Sequence, residues 1–222
     1  FRRDLRNGTV KYTGLVVDKD DLLGNVLRAR AVNVQRELKK AGQPVDKTEW
    51  GMTPQTVNAY YNPLANEIVF PAAILQPPFF DMKADDAVNY GGIGAVIGHE
   101  ISHGFDDQGR KFDGKGVLRD WWTDKDNELF MARASALVKQ YNAFSPIPGM
   151  NVNGELTLGE NIGDLSGLAV AHKAYKIALN GQPAPVLDGY TGDQRFYLGW
   201  GQIWARNYRE DELRKRLKTD PH

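Results

Sequence analysis

Cysteine is absent from this 222-residue chain, and neither sign of charge dominates, since 28 lysines and arginines balance 28 aspartates and glutamates. A disulfide framework and a cysteine-ligated metal are therefore excluded. The balanced charge gives no electrostatic footprint for nucleic acid. No apolar run approaches the roughly 20 residues that a membrane helix needs. The sequence thus predicts neither a nucleic-acid partner nor a membrane segment in this chain.

A signal peptide is also missing, because the residues from Phe1 onward resemble the middle of a protein sequence. The chain stops abruptly at His222. We therefore expect a piece of a longer polypeptide and count the remainder of that polypeptide among its candidate partners. The length is enough for one large domain or for a domain with an appended segment, and the hydrophobic content of 41% allows a sizeable core. We predict a lead segment with a connecting helix over residues 1–50 and a main domain over residues 51–222.

Apolar periodicity and chain breakers predict an α+β fold that is mostly α with a small β element. A strand-like lead is expected near residues 10–17. Two β segments are expected at residues 56–61 and 67–70, where an Asn-Pro pair turns the chain between them. The predicted helices cover residues 20–41, 87–105, 125–141, 157–179 and 193–217.

The most informative stretch is His99-Glu100-Ile101-Ser102-His103. On a helix, the two histidines are four residues apart and share one face, so both can reach one Zn²⁺. Glu100 lies beside them, where a carboxylate can take a proton from a metal-bound water. A chance match to this pattern in a chain of this length is on the order of 1%. The stretch therefore predicts the centre of a zinc hydrolase with one zinc per chain.

A zinc hydrolase needs a third protein ligand, and residues 159–164 offer one. Glu160 and Asp164 are four residues apart and share a helix face, so Glu160 can ligate the ion while Asp164 orients a ligating histidine. Alone, such an acidic pair is usually a solvated helix face. Asp106, three residues after His103, is our candidate partner for that histidine, and Asp107 is the alternative, which spacing alone does not separate.

These motifs together resemble the neprilysin-like zinc metallopeptidases, the family of neprilysin, endothelin-converting enzyme and bacterial oligopeptidases. The resemblance covers essentially the whole chain. Residues 57–61 and 68–80 are similar to the substrate-strand region of the family, and residues 98–110 to its zinc segment. The third-ligand segment is matched by residues 159–164, and the start of the last catalytic segment by residues 218–222.

The resemblance implies a zincin-like, thermolysin-like catalytic domain built on a HExxH helix. It implies His99, His103 and Glu160 as zinc ligands and Glu100 as general base. Asp164 and Asp106 would orient the histidines, and His222 would stabilise the oxyanion, so that Glu100, Asp164 and His222 form the catalytic group. The substrate-binding residues would be Asn58 and Ala59 for the peptide backbone, Tyr60 next to them, and Ile74, Phe79, Val96 and Trp204 for an apolar pocket.

The expected activity is metalloendopeptidase hydrolysis of peptides on the amino side of large hydrophobic residues, with a peptide substrate or a peptide-like inhibitor as the partner. Two features of the family are missing from this sequence: the helical lid domain that precedes the region, and the arginine-bearing segment that follows His222. The alternative is therefore a zinc- and peptide-binding fragment without turnover. A periplasmic or secreted bacterial location is expected from family habit, with a cytoplasmic location as the alternative.

A second enzyme class is suggested by the glycine-rich stretch at residues 92–98, which could cradle phosphates. No buried strand precedes it and no βαβ pattern surrounds it. Small residues that let the zinc helix pack closely explain these glycines better. The aspartates and glycines between residues 106 and 116 do not fit the spacing of a calcium loop.

Overall fold

The computed structural model describes residues 14–219 of the chain. Two compact units follow one another, the first ending at Gln55 and the second beginning at Thr56. Within the first unit, helix α1 spans Leu22–Leu38. The Asp21 carboxylate caps it by accepting a hydrogen bond from the backbone N–H of Gly24 at 2.8 Å. The helix is thus shorter at both ends than the predicted span of residues 20–41.

The predicted strand-like lead is not a strand over residues 14–17, and its earlier residues lie outside the described part of the chain. The second unit begins with a hairpin. Strand β1 (Tyr60–Asn62) pairs antiparallel with β2 (Glu67–Val69), and Tyr60 lies opposite Val69. Both predicted β segments are therefore present, although the first begins four residues later than predicted. A short 3-10 turn at Ala72–Ile74 follows.

The metal-motif region is one continuous helical path with three kinds of turn. Helix α2 (Asp86–Asn89) continues into a wider π turn at Tyr90–Gly94, then into helix α3 (Ala95–Ser102) and a final 3-10 turn at His103–Phe105. A π turn inside a helix often marks a functional site. The predicted single helix over residues 87–105 is thus correct in extent, but the sequence did not predict the change of turn.

Glycines allow this wide turn to pack against its neighbours. A Cβ atom at Gly91 would lie 1.9 Å from the carbonyl oxygen of Phe196, and one at Gly92 would lie 2.6 Å from that of Phe79. The backbone N–H of Ile93 donates to the same Phe79 oxygen at 2.8 Å. These contacts support the packing interpretation of the glycine-rich stretch.

Four further helices complete the second unit: α4 (Asp124–Asn142), α5 (Leu158–Ala178), α6 (Gly192–Ile203) and α7 (Glu210–Thr219). The sequence places α4 and α5 within one residue of these bounds. The single predicted helix over residues 193–217 is wrong, because the chain leaves helical geometry between Trp204 and Arg209. The acidic run from Glu210 to Glu212 begins a new helix there, since negative charge suits a helix N-terminus.

The core of the second unit has two apolar clusters. One lies between the segments that flank the β-hairpin, the π turn with helix α3, and the end of α6. It contains Ala59, Ile74, Phe79, Ile93, Val96 and Ile203. The other lies between α2, α3, α5 and α6 and contains Ala87, Ala95, Ala171, Tyr175 and Phe196. No helix within residues 14–219 is long and apolar enough to cross a membrane. The architecture is therefore mostly helical with one small antiparallel hairpin, as predicted.

Candidate metal centre

Helices α3 and α5 meet backbone to backbone, and glycines make this possible. A Cβ atom at Gly98 would lie 2.7 Å from the Gly167 carbonyl oxygen, and one at Gly167 would lie 2.5 Å from that of Ala95. At Gly163, a Cβ atom would lie 2.8 Å from the imidazole of His99. Any side chain at these positions would separate the helices or displace the ring. The close approach therefore sets where the polar groups of the two helices meet.

Three candidate ligands converge at this contact. His99 is in helix α3, and His103 lies one turn later at the start of the 3-10 turn. Glu160 is in the first turn of α5. One Glu160 oxygen, Oε2, lies 3.1 Å from His99 Nε2 and 3.7 Å from His103 Nε2. All three ligand atoms lie within 4.8 Å of one another. Bonds of about 2.1 Å to a tetrahedral zinc separate ligand atoms by roughly 3.4 Å, so the group fits this ion.

The other nitrogen of each imidazole is held by a carboxylate. His99 Nδ1 lies 2.8 Å from Asp164 Oδ1, and His103 Nδ1 lies 2.7 Å from Asp106 Oδ2. A proton on Nδ1 directed at a carboxylate leaves Nε2 free to bind a metal. Of the two aspartates that the sequence left open, Asp106 therefore makes the contact with His103.

Asp106 is itself fixed by the turn that follows the metal helix. Its second oxygen, Oδ1, accepts backbone hydrogen bonds from Gln108 at 2.8 Å and from Gly109 at 2.6 Å. Asp106 is only 6% exposed. A Cβ atom at Gly109 would lie 1.7 Å from the His103 carbonyl oxygen, so this tight turn requires glycine. Orientation of the second histidine thus depends on backbone geometry beyond the motif.

The neighbouring carboxylates raise the pKa of both histidines. Burial opposes protonation of His99, but hydrogen bonds with Asp164 and Glu160 outweigh it and raise the pKa of the ring to about 10. Burial also opposes protonation of His103, but the hydrogen bond with Asp106 and the negative charges of Glu160 and Asp106 together raise the pKa of this ring as well. Basic imidazoles are strong donors to a metal once their Nε2 protons are released.

Glu100 lies beside the ligands and is 5% exposed. Burial raises the pKa of its carboxyl, while the nearby histidines lower it less strongly. Its Oε2 atom is buried and has no hydrogen-bond partner among residues 14–219. A carboxylate with a raised pKa and an unoccupied acceptor oxygen suits proton transfer next to a metal.

The candidate ligands and Glu100 line a cleft of about 890 Å³. All seven residues predicted to bind substrate also line it: Asn58, Ala59, Tyr60, Ile74, Phe79, Val96 and Trp204. Asn58 and Ala59 lie directly before strand β1. The rings of Phe79 and Trp204 meet edge to face at 6.4 Å. His222, the predicted oxyanion partner, lies outside the described residues.

Sequence reasoning missed several residues that line the cleft, among them Trp200, Arg206 and Arg216. The four-residue spacing of Trp200 and Trp204 was a usable signal, because on the predicted helix it puts both rings on one face. The two arginines offered no such signal. They belong to the stretch that was predicted as one unbroken helix.

Comparison with known proteins gives a consistent result. A family model described as "Peptidase family M13" matches residues 58–222. An endothelin-converting enzyme homologue of Locusta migratoria is 43% identical over 96% of this chain and 29% of its own length. Human neprilysin is likewise 43% identical over 96% of this chain and 29% of its own length. The chain thus spans under a third of the length of these curated relatives.

Solved structures agree in backbone as well as sequence. The zinc metalloprotease Zmp1 of Mycobacterium tuberculosis in complex with an inhibitor is 62% identical with a TM-score of 0.90, over 95% of this chain and 33% of that one. PepO of Lactobacillus rhamnosis is 40% identical with a TM-score of 0.80, over 94% of this chain and 32% of that one. Both identities are high enough for the likeness to concern more than the fold.

Proposed function

The chain belongs to peptidase family M13, and from this premise we propose that it forms the catalytic core of a zinc metalloendopeptidase. One observation carries the proposal: His99, His103 and Glu160 converge within 4.8 Å in a cleft that also contains the buried Glu100. Two imidazoles and one carboxylate are a ligand set of catalytic zinc sites, where the fourth position stays open for water. We assign one zinc per chain to these residues.

Zinc bound there would lower the pKa of a water molecule toward about 7 and polarise the scissile carbonyl. In the proposed mechanism, Glu100 takes the proton of the attacking water and passes it to the leaving amine. Asp164 and Asp106 hold the two histidines in the required tautomer through contacts of 2.8 and 2.7 Å. For His222 we keep the oxyanion role that the family resemblance implies.

The substrate is a peptide in extended conformation. We assign backbone contacts to Asn58, Ala59 and Tyr60, since residues leading into an edge strand can pair with an added strand. The apolar pocket of Ile74, Phe79, Val96 and Trp204 supports cleavage on the amino side of a large hydrophobic residue. Val96 precedes His99 by one helical turn, which supports a pocket next to the scissile bond.

The direct test combines zinc content of the purified chain with cleavage of a quenched fluorescent peptide, with and without a chelator. One zinc and chelator-sensitive cleavage are expected. Glu100→Gln should keep the zinc and lose turnover by about 10²- to 10⁴-fold, because only the general base is removed. Glu160→Ala should lose the zinc. Glu128→Gln, on the exposed face of α4, is the matched control and should change neither.

The outcomes separate the alternatives. Zinc without cleavage would favour the zinc- and peptide-binding fragment that lacks turnover. Normal turnover in Glu100→Gln would contradict the mechanism but leave the metal site standing. Folded protein that binds no zinc would overturn the proposal entirely.

The cellular location is a separate proposal. We keep the periplasmic or secreted location expected from the family resemblance, with the cytoplasm as its alternative. Fractionation of the source cells, followed by immunodetection of the full polypeptide, tests it. Recovery with cytoplasmic markers alone would contradict it.

A further inference from the structure

An arginine lines the cleft just past the end of helix α6. The helix ends at Ile203, and Arg206 lies in the connector between α6 and α7. Its guanidinium carbon is 5.3 Å from the centre of the Trp204 ring, and its Nη1 donates to the Tyr208 hydroxyl at 3.3 Å. Arginine carries five N–H donors, so these contacts leave most of its donor capacity for another group.

The charge of Arg206 is not compensated locally. Over residues 14–219, no carboxylate lies within ion-pair distance of its guanidinium. The second arginine of the cleft differs in this respect, because Arg216 Nε pairs with Glu212 Oε1 at 3.1 Å. A cation stacked on an aromatic face and lining a cleft is well suited to receive an anionic group from a ligand.

The position of Arg206 along the cleft follows from a chain of contacts. Val96, one turn before His99, belongs to the same apolar cluster as Phe79. Phe79 contacts Trp204 edge to face at 6.4 Å, and the Trp204 ring in turn carries Arg206 at 5.3 Å. These contacts place the arginine against Trp204, at one wall of the apolar pocket.

We propose that Arg206 is a specificity-determining residue that binds a carboxylate of the substrate, downstream of the hydrophobic residue held in the apolar pocket. The inference rests on the proposed function, because that function sets the direction of the peptide. An extended peptide advances about 3.3 Å per residue. The Arg206 guanidinium is 5.3 Å from the Trp204 ring centre, so a residue one or two positions after the hydrophobic one can reach it. The carboxylate can belong to an acidic side chain or to a free C-terminus.

A purely structural role is the competing explanation. A cation near the C-terminus of a helix stabilises it through the helix dipole, and Arg206 follows the end of α6 by three residues. Such a role affects the stability of the protein and every ligand alike. A binding role instead distinguishes ligands that carry a carboxylate from ligands that do not.

The test measures binding by fluorescence anisotropy in the zinc-loaded chain carrying Glu100→Gln, so that no turnover is needed. Two pairs of dye-labelled peptides share a Gly-Gly-Phe core. The first pair has Asp or Asn after the Phe and an amidated end. The second pair has Ala after the Phe and either a free or an amidated C-terminus. The pairs distinguish the two sources of the carboxylate.

We expect tighter binding of the carboxylate member in at least one pair, and a loss of roughly fivefold for that member in Arg206→Gln. The neutral members should bind Arg206→Gln as before. Arg206→Lys should keep part of the preference, because it keeps the charge but not the planar fork. Arg209→Gln is the matched control: it lies in the same connector and does not line the cleft, and it should keep the full preference.

Equal binding of both members in both pairs would overturn the inference, as would an equal loss for all four peptides in Arg206→Gln. Failure of every peptide to bind, or a similar change in Arg209→Gln, would also overturn it. Cleavage by the chain with native Glu100 is measured in parallel. Zinc-dependent cleavage without carboxylate preference refutes this inference alone, whereas carboxylate preference without cleavage refutes only the proposed function.

Discussion

Two helix–helix contacts in the second unit are both packed closely through glycines, but they carry different polar groups. At the contact of α3 with α5, Gly98 and Gly167 let the backbones touch. At the contact of α2 and the π turn with α6, Gly91 and Gly199 do the same: a Cβ atom at Gly199 would lie 2.8 Å from the Val88 carbonyl oxygen. Close packing by glycine is therefore not in itself a sign of function.

The polar groups make the difference. At the second contact, Arg195 is 7% exposed and its Nε lies 2.7 Å from Asp85 Oδ2. Its Nη1 donates to the carbonyl oxygens of Pro185 and Tyr190, so this guanidinium has its hydrogen-bond partners within the protein. At the α3–α5 contact, three ligand atoms instead face one another within 4.8 Å. Three potential ligand atoms that face one common point indicate a site for an ion. A guanidinium that is paired with a carboxylate and two carbonyl oxygens does not.

The largest expected effect comes from filling the α3–α5 contact with Gly167→Ala. The added Cβ atom would lie 2.5 Å from the Ala95 oxygen and 2.6 Å from the His99 nitrogen, and both are backbone atoms that cannot rotate away. Overpacking of this kind typically costs about 1–3 kcal/mol. Thermal unfolding should show the loss, and zinc affinity should fall with it because the His99 backbone is displaced.

Gly201→Ala is the control for that change. A Cβ atom at this exposed position of α6 meets nothing within 4 Å. Alanine in a helix is favoured over glycine by roughly 0.5–1 kcal/mol, so this variant should be slightly more stable than the native chain. Equal stability of the two variants would contradict the packing argument.

A smaller effect, confined to the metal side, is expected from Asp164→Asn. Asparagine can still accept the Nδ1 proton of His99, but it lacks the charge that makes the ring basic. Loss of such a partner typically costs 10- to 100-fold in metal affinity, and we expect about tenfold here because the hydrogen bond is kept. Competition with a zinc-binding dye measures it.

The control is Asp193→Asn, which alters another histidine–aspartate contact. Asp193 Oδ1 lies 2.9 Å from His172 Nε2, and neither residue lines the cleft. Zinc affinity should be unchanged in this variant. A similar loss in both variants would mean that the change in net charge, rather than the contact with His99, governs affinity.

The smallest effect is expected from Asp85→Asn at the α2–α6 contact. The hydrogen bond from Arg195 is the main cause that lowers the pKa of this carboxyl below its ordinary value of 3.8. A lowered pKa means that the ionised form stabilises the fold above about pH 4, and that this contribution is lost as the pH falls further. Arg195 keeps two carbonyl partners, so we expect a fall in Tm of a few degrees at pH 7.

The pH dependence distinguishes this ion pair from a general loss of charge. In the metal-free chain, the difference in Tm between native protein and Asp85→Asn should shrink as the pH is lowered through 4. Asp120→Asn, at an exposed position, should not change Tm at pH 7 or at pH 3. A difference that stays constant from pH 7 to pH 3 would contradict the assigned role of the pair.

The metal ligands could be predicted from sequence because helical geometry alone brings them together. His99 and His103 are four residues apart, and so are Glu160 and Asp164, and each pair needs only a helix to share a face. The meeting of the two pairs is a tertiary contact. It was inferred from the ligand count that zinc requires and from the family resemblance, rather than from local pattern.

Other features could not be predicted in this way. The break between α6 and α7 contains no proline or glycine, so periodicity ran through it, although the acidic run at Glu210–Glu212 was a missed signal. Arg206 reaches the cleft only because of that break. The π turn likewise depends on which carbonyl groups approach Gly91 and Gly92, which local sequence does not encode.

The contact of Gly163 with His99 has a consequence for protein design. Grafting the three ligands His99, His103 and Glu160 onto another pair of helices would not reproduce the short distance between the helix axes that lets an imidazole pack against a glycine backbone. The minimal portable unit therefore includes Gly98, Gly163 and Gly167, three residues that would never touch the ion. A designed metal centre that kept the ligands but replaced these glycines with alanine would have the right chemistry at the wrong separation.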